Sequence, residues 1–391
     1  MMMKHFDKIK IIRATSAPQS LNIFCKGMLR ELSKKFEVVG LSSPGEALHE
    51  IVQREGVRVI AMPIERHISV FRDCKSLIKA YQVFRKERPT MVHSMTPKAG
   101  LICMMAAWLA RVPVRVHTFT GLVFPTSTGV KRKILMFTDW LTCACATQVI
   151  PEGEGVKNDL LKYKITKKPL RVLGYGNVRG VDVEYYSRRD DVIRKMEELN
   201  LRDESKFTFL FVGRIVKDKG INELCHAFSL LHSQYPQTRL WLVGAYEDRL
   251  DPVSKVTKEL IDNGRNGIEA VGVKKDDELL AYYAAADCFI LPSYREGFPN
   301  TVLEAGAMGL PSIVTDINGS REIIVEGQNG TVVLPKDENA LYEAMWRIIN
   351  QDEWRKMMAD NARKMIADRF EQGYVRQCLY DFYDEILDSK C

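Results

Sequence analysis

Short, almost uniformly apolar runs alternate along this chain with longer runs whose apolar residues recur at helical spacing. Residues 9–14, 37–42, 57–63, 91–95 and 114–118 are of the first kind, and residues 21–35, 73–87 and 99–110 are of the second. A strand that is apolar at nearly every position is one buried on both faces of a parallel sheet. The alternation therefore predicts a doubly wound α/β domain. Residues 170–173 read as its last strand, running into Gly174 and Gly176, and the crossover to a second domain is placed at about 174–190.

The same alternation resumes with strands over 207–212, 239–244, 268–273, 288–291 and 311–314. Helices are predicted over 221–235, 276–286 and 301–308, the last capped by Asn300 and ended by Gly309 and Pro311. From residue 332 onward the chain reads as helical, closing with 370–387. A length of 391 residues suits two domains, 1–178 and 179–369.

Candidate chemistry concentrates in the second half. Glu296, in the loop after the strand at 288–291, and Glu304, about one turn into the following helix, both lie near a helix amino end, where free N–H groups and the helix dipole attract anions. Two carboxylates would repel a phosphate there unless they bind hydroxyls on either side of it. From the spacing alone, the pair reads equally as such a clamp or as a solvated loop acid beside a dipole-complementing one. Arg214 and Lys219 follow the strand at 207–212 and Gly213, and supply a planar fork and a point charge suited to phosphate. In the first half His117 closes the strand at 114–118, and His93 closes the one before it. A lone histidine at a strand end is more often structural than functional.

Charge changes the picture more than composition does. Residues 1–200 hold 34 Lys and Arg against 19 Asp and Glu, whereas residues 201–391 hold 23 against 31. A basic half facing an acidic one points to a polyanionic partner for the first domain, and an anionic membrane surface is the expectation. The helical segment 73–88 and the segment 131–141, KRKILMFTDWL, mix basic with apolar residues and are the candidate contacts, although their apolar faces are expected to be core. Nucleic acid is not expected, because no helix-turn-helix, zinc-finger or RNA-binding signature is present. Nine scattered cysteines without metal-site spacing predict neither zinc nor disulfides. The opening MMMKHFDKIKIIRA runs from a charged lead into a strand, so the cytoplasm is the expected location.

The stretch EGFPNTVLEA, with seven residues between Glu296 and Glu304, followed by GLPSIVTD, resembles the signature of retaining glycosyltransferases of family 4. So do Gly213-Arg214 with Lys219, and Gly180-Val181-Asp182 at the crossover. The resemblance implies a GT-B architecture: two Rossmann-like domains facing each other across a cleft, with helix 370–391 packing back on the first. It implies a nucleotide-diphosphate sugar donor, with a UDP-linked GlcNAc, GalNAc, Gal or Glc preferred. It also implies a glycan acceptor, here expected to be polyprenyl-diphosphate-linked and used in capsule, O-antigen or related surface polysaccharide synthesis at the inner face of a membrane.

Residue by residue, the resemblance gives Gly213, Arg214 and Lys219 to the diphosphate, and Gly272 and Val273 to the nucleobase. Glu296 would hold the sugar, Asn300 and Thr301 the diphosphate, and Glu304 the ribose, with Gly297, Phe298 and Pro299 also counted among the donor-binding residues. His117 would contact the sugar near the reacting carbon. No cofactor or metal is implied, since cations already face the diphosphate. The chain departs from many relatives in its first strand-to-helix loop, where Thr15-Ser16-Ala17-Pro18-Gln19-Ser20 replaces a glycine pair. The alternatives are a nucleotide-sugar 2-epimerase of the same architecture and a nucleotide-sugar-binding protein without catalysis.

Overall fold

The computed structural model describes residues 9–65, 69–247, 251–264 and 266–388. The described residues form two compact units, 9–179 with 373–388, and 180–372. Residues 1–8 of the first predicted domain and residues 389–391 of the predicted helix 370–391 lie outside them.

In the first unit the order is β1 (Lys10–Ala14), α1 (Pro18–Phe24), α2 (Met28–Ser33), β2 (Glu37–Ser42), α3 (Ala47–Glu55), β3 (Arg58–Ala61), α4 (Val70–Glu87), β4 (Met91–Met95), α5 (Pro97–Leu109), β5 (Val114–Phe119), α6 (Gly129–Cys145), β6 (Gln148–Pro151) and α7 (Glu154–Lys162). The strands lie parallel in the order β3-β2-β1-β4-β5-β6. One apolar cluster fills each face of this sheet.

The second unit runs α8 (Asp190–Glu198), β7 (Phe207–Val212), α9 (Ile221–Gln234), β8 (Thr238–Val243), α10 (Lys255–Asn263), β9 (Ile268–Gly272), α11 (Asp276–Ala285), β10 (Cys288–Leu291), α12 (Asn300–Ala307), β11 (Ser312–Thr315), α13 (Ser320–Ile323), β12 (Gly330–Val333), α14 (Glu338–Asn350) and α15 (Asp352–Phe370). Its strands are again parallel, in the order β12-β11-β10-β7-β8-β9. The closing helix α16 (Gln372–Asp388) returns to the first unit, where Leu379, Phe382, Tyr383, Ile386 and Leu387 join the cluster beneath β1 and β4.

Four expectations are corrected. The helix expected over 21–35 is two helices, because Gly27 takes φ 72° and starts α2 anew; the buried Glu55 carboxylate accepts the Gly27 and Arg30 N–H groups at 2.7 and 3.1 Å. The strand expected at 170–173 does not form. The residues that follow, Gly174, Gly176 and Asn177, turn the chain through positive φ, and the edge strand is β6 instead. Residues 330–333 are a strand, β12, and the terminal helices begin only at Glu338. Finally, Pro299 caps α12 and Asn300 is its first residue.

The apolar face of the 131–141 segment also differs from expectation. On α6, Val130, Ile134, Phe137 and Trp140 are solvent-exposed, with Phe137 and Trp140 stacked at 5.7 Å. The side turned inward carries Asp139, which is 7% exposed and has its carboxyl pushed up to about 7 by desolvation. Between the ordinary carboxyl pKa near 4 and that value, the folded chain holds a proton that the unfolded chain releases. Stability therefore falls as pH rises through this window, and the full penalty applies above 7. Asp139→Asn should raise the unfolding free energy at pH 8 by on the order of 2–4 kcal/mol and leave it nearly unchanged at pH 4, measured by denaturant titration at both pH values.

Candidate active site

The site of the second unit is built where its central strands end. β7, Phe-Thr-Phe-Leu-Phe-Val, is buried along almost its whole length, so Gly213 and Arg214 emerge at the carboxyl edge of the sheet. The ladder continues past the strand ends: Gly213 N–H donates to Val243 O at 2.9 Å and Ile215 N–H to Ala245 O at 2.8 Å. Arg214 is thereby held beside the loop after β8, and its guanidinium bonds the Glu247 carboxylate.

A 3₁₀ turn, Lys217–Lys219, brings the second cation into place. It ends at Gly220, with φ 70°, where a Cβ would lie 2.1 Å from the Pro292 carbonyl oxygen. Only glycine permits that approach. It presses the turn onto the loop after β10, so that the Lys219 ammonium bonds the Glu296 carboxylate 77 residues away. Ser293 Oγ donates to the same carboxylate oxygen at 2.7 Å. The two loops are stapled further by Tyr294 N–H to Asp218 O at 2.8 Å and by Arg295 to Asp218 at 2.9 Å. Thr315 Oγ1 donates to Ser293 O at 2.5 Å and ties the assembly to β11.

The second glutamate has a different setting. Glu304 is buried on α12 and accepts the Tyr283 hydroxyl at 3.2 Å. Phe298 turns into the core, edge-on to Phe370 at 5.4 Å, which anchors the loop while leaving Glu296 at its rim. Asn300 and Thr301 open α12, which places the positive end of its helix dipole beside Gly297 and Pro299. Gly272 ends β9 and Val273 projects into solvent. The second unit thus gathers Arg214, Lys219 and Glu296 on adjoining loops, with Glu304 set one layer deeper. Among the described residues, no group of three or more His, Cys, Asp or Glu side chains is placed to hold a metal ion.

The histidines belong to the first unit. His117 is buried on β5, with Nδ1 2.9 Å from Ser94 Oγ and its ring edge-on to Phe119. The ring lies against Gly100 of α5, where a Cβ would meet it at 2.4 Å. Desolvation lowers its pKa to about 3, so the imidazole is neutral at physiological pH.

His93 does not line an open surface. It is buried between Arg13 Nη1 and the Tyr383 hydroxyl, 2.7 and 2.5 Å from Nδ1, with Thr118 Oγ1 2.7 Å from Nε2. Burial, then the Arg13 charge, holds its pKa well below the ordinary histidine value. A cavity of about 20 Å³ beside it, lined in part by Arg13, Thr118 and Glu152, has room for a single water.

Sequence reasoning missed Glu247, Ser293 and Arg13. Ser293 stands three residues before Glu296, and that proximity was its only signal. Arg13 is hidden in an otherwise apolar strand and finds its partners on β4 and α16.

Residues 24–176 match the family model described as glycosyl transferase 4-like domain, and residues 192–365 match the one described as glycosyl transferases group 1. Along 380 residues the chain is 30% identical to the capsular polysaccharide biosynthesis glycosyltransferase CapM of Staphylococcus aureus, covering 97% of each protein. The chain is a family 4 glycosyltransferase. A second relative of this glycosyltransferase, an Escherichia coli UDP-Gal:alpha-D-GlcNAc-diphosphoundecaprenol alpha-1,3-galactosyltransferase, is 30% identical over 304 residues, 75% of each chain. Among solved structures, Anabaena Alr3699/HepE in complex with UDP superposes with a TM-score of 0.79 at 18% identity, covering 97% of this glycosyltransferase and all of HepE. At that identity the likeness speaks for the fold alone, the GT-B class of paired Rossmann-like domains.

Proposed function

We propose that this glycosyltransferase moves a hexosyl or N-acetylhexosaminyl unit from a UDP-sugar to a hydroxyl of a polyprenyl-diphosphate-linked glycan during surface polysaccharide assembly, with retention at the anomeric carbon. The observation that carries the donor reading is the convergence of Arg214, Lys219, Glu296 and the α12 amino end on neighbouring strand ends of one unit. The full-length similarity to CapM and the partial similarity to a galactosyltransferase with a diphosphoundecaprenol-linked acceptor support the acceptor class.

In this reading the acceptor oxygen forms a bond to the anomeric carbon as the bond from that carbon to the phosphate oxygen breaks on the same face. The acceptor's proton passes to the departing diphosphate. Arg214, Lys219 and the Asn300-Thr301 end of α12 stabilise the charge that grows there, so no metal is needed for that purpose. Glu296 exchanges Lys219 for sugar hydroxyls, and Glu304 binds the ribose. Gly272 and Val273 frame the base. His117, buried and neutral in the first unit, is suited to hydrogen bonding more than to proton abstraction.

A lipid-linked acceptor calls for a chain that rests on a membrane. No described helix is long and apolar enough to cross one. The outward stripe of α6, Val130, Ile134, Phe137 and Trp140, stands beside Lys131, Arg132 and Lys133, and α4 exposes Phe71, Ile78 and Tyr81 among Lys75, Lys79 and Arg85. An anionic cytoplasmic leaflet matches both the apolar and the basic residues, at roughly 1 kcal/mol per basic residue near the surface.

Incubation with a panel of nucleotide sugars, with and without lipid-diphosphate-linked acceptors, should show transfer that depends on the acceptor. Arg214→Ala and Glu296→Ala should each lower it by about 10²–10³-fold while circular dichroism stays native. Sugar release without acceptor would support the epimerase reading instead. Replacing Phe137 and Trp140 together by Ser should reduce co-sedimentation with phosphatidylglycerol vesicles at least several-fold, and unchanged binding would remove α6 from the membrane contact.

A further inference from the structure

Both cations assigned to the diphosphate are engaged by carboxylates of the chain itself, but in unequal ways. The Lys219–Glu296 pair is largely shielded, with side-chain exposures of 19% and 15%, and Glu296 has Ser293 as a second partner. The Arg214–Glu247 pair lies open, at 53% and 26%. Among the described residues, the Glu247 carboxylate meets Arg214 alone, and only one guanidinium nitrogen of Arg214 is used. A planar fork able to bind two oxygens of one anion is therefore only partly filled.

The placement of Glu247 follows from the backbone and does not depend on a ligand. β7 and β8 pair in parallel with Val212 opposite Val243, and the pairing continues to a bridge between Ile215 and Tyr246. On that register Arg214 stands opposite Ala245, and Glu247 lies two residues further along, on the same face. A diphosphate taking Arg214 would thus have a carboxylate as its immediate neighbour.

We propose that Glu247 is a place-holding anion for the diphosphate site. It occupies Arg214 while the site is empty, yields it to a phosphate group when the donor binds, and reclaims it as the nucleoside diphosphate departs. The pair neutralises Arg214 in the free enzyme and opposes overly tight retention of the product, which makes Glu247 a positioning residue acting through Arg214. This inference rests on the reading of Arg214 as a diphosphate ligand.

Calorimetric titration of the full chain with UDP, and separately with inorganic pyrophosphate, tests both layers. Arg214→Ala should weaken binding more than tenfold. Glu247→Gln should tighten it about two- to fivefold, the span of an exposed ion pair, and stopped-flow measurement should show the gain in slower UDP dissociation. In the Arg214→Ala background, Glu247→Gln should change affinity by less than about 1.5-fold, since the two act as a coupled pair.

If native chain binds neither probe, or Arg214→Ala binds as well as native, the assignment of the site fails and this inference with it. If Arg214→Ala weakens binding but Glu247→Gln leaves it equal or weaker, the place-holding role alone is overturned. Equal tightening by Glu247→Gln in both backgrounds also overturns it, because that result reports only the loss of a negative charge nearby.

Discussion

A lysine and a glutamate 77 residues apart share a hydrogen bond at the end of a buried sheet, and the site is arranged around that contact. It exists because Gly220 lets the turn after β7 press against Pro292 at the end of β10. β10 and β7 are neighbours in the sheet, so the two loops leave its carboxyl edge side by side. Everything else in the site is placed relative to this junction. Arg214 comes from the start of the same β7 loop, Ser293 and the α12 amino end from the loop after β10, and Glu304 from the turn of α12 below. On the proposed function, this largely shielded ion pair is the resting state of two groups that separate on donor binding, one to a diphosphate and the other to hydroxyls.

The parallel strands were legible because their apolar runs are too short and too continuous for anything else, as 37–42 and 207–212 illustrate. What escaped was local. Gly27 interrupts a stretch whose apolar spacing is helical on both sides, and the buried Glu55 that caps the second helix comes from another element. The run at 170–173 has the composition of a strand, but β6 already forms that edge of the sheet and the run stays unpaired. β6 and β12, Gln-Val-Ile-Pro and Gly-Thr-Val-Val, are short and interrupted by polar residues or glycine, so they lack the continuous apolar run that marked β10.

Within the candidate site, Arg214, Lys219, Glu296 and Glu304 were legible because they follow strand ends at motif spacing. The bonds between them were not. Nothing in the spacing of 219 and 296 reveals that the cation and the carboxylate touch, since that depends on sheet order. Glu247 escaped for the same reason, as its partner lies on a neighbouring strand. On α6 the apolar stripe was visible but its direction was not: helical periodicity shows that Val130, Ile134 and Phe137 share a face, and only the packing of the other face, with Asp139 inward, shows that they look out.

On the proposed function, the Lys219–Glu296 pair opens to receive a sugar nucleotide. A crystal structure of the chain with an unhydrolysable UDP-sugar tests it most directly. Arg214 and Lys219 should then lie on diphosphate oxygens, with Glu296 turned from Lys219 to hydroxyls of the sugar and Glu304 on the ribose. A bound sugar nucleotide whose diphosphate lies elsewhere, with the Lys219–Glu296 bond intact, would contradict it.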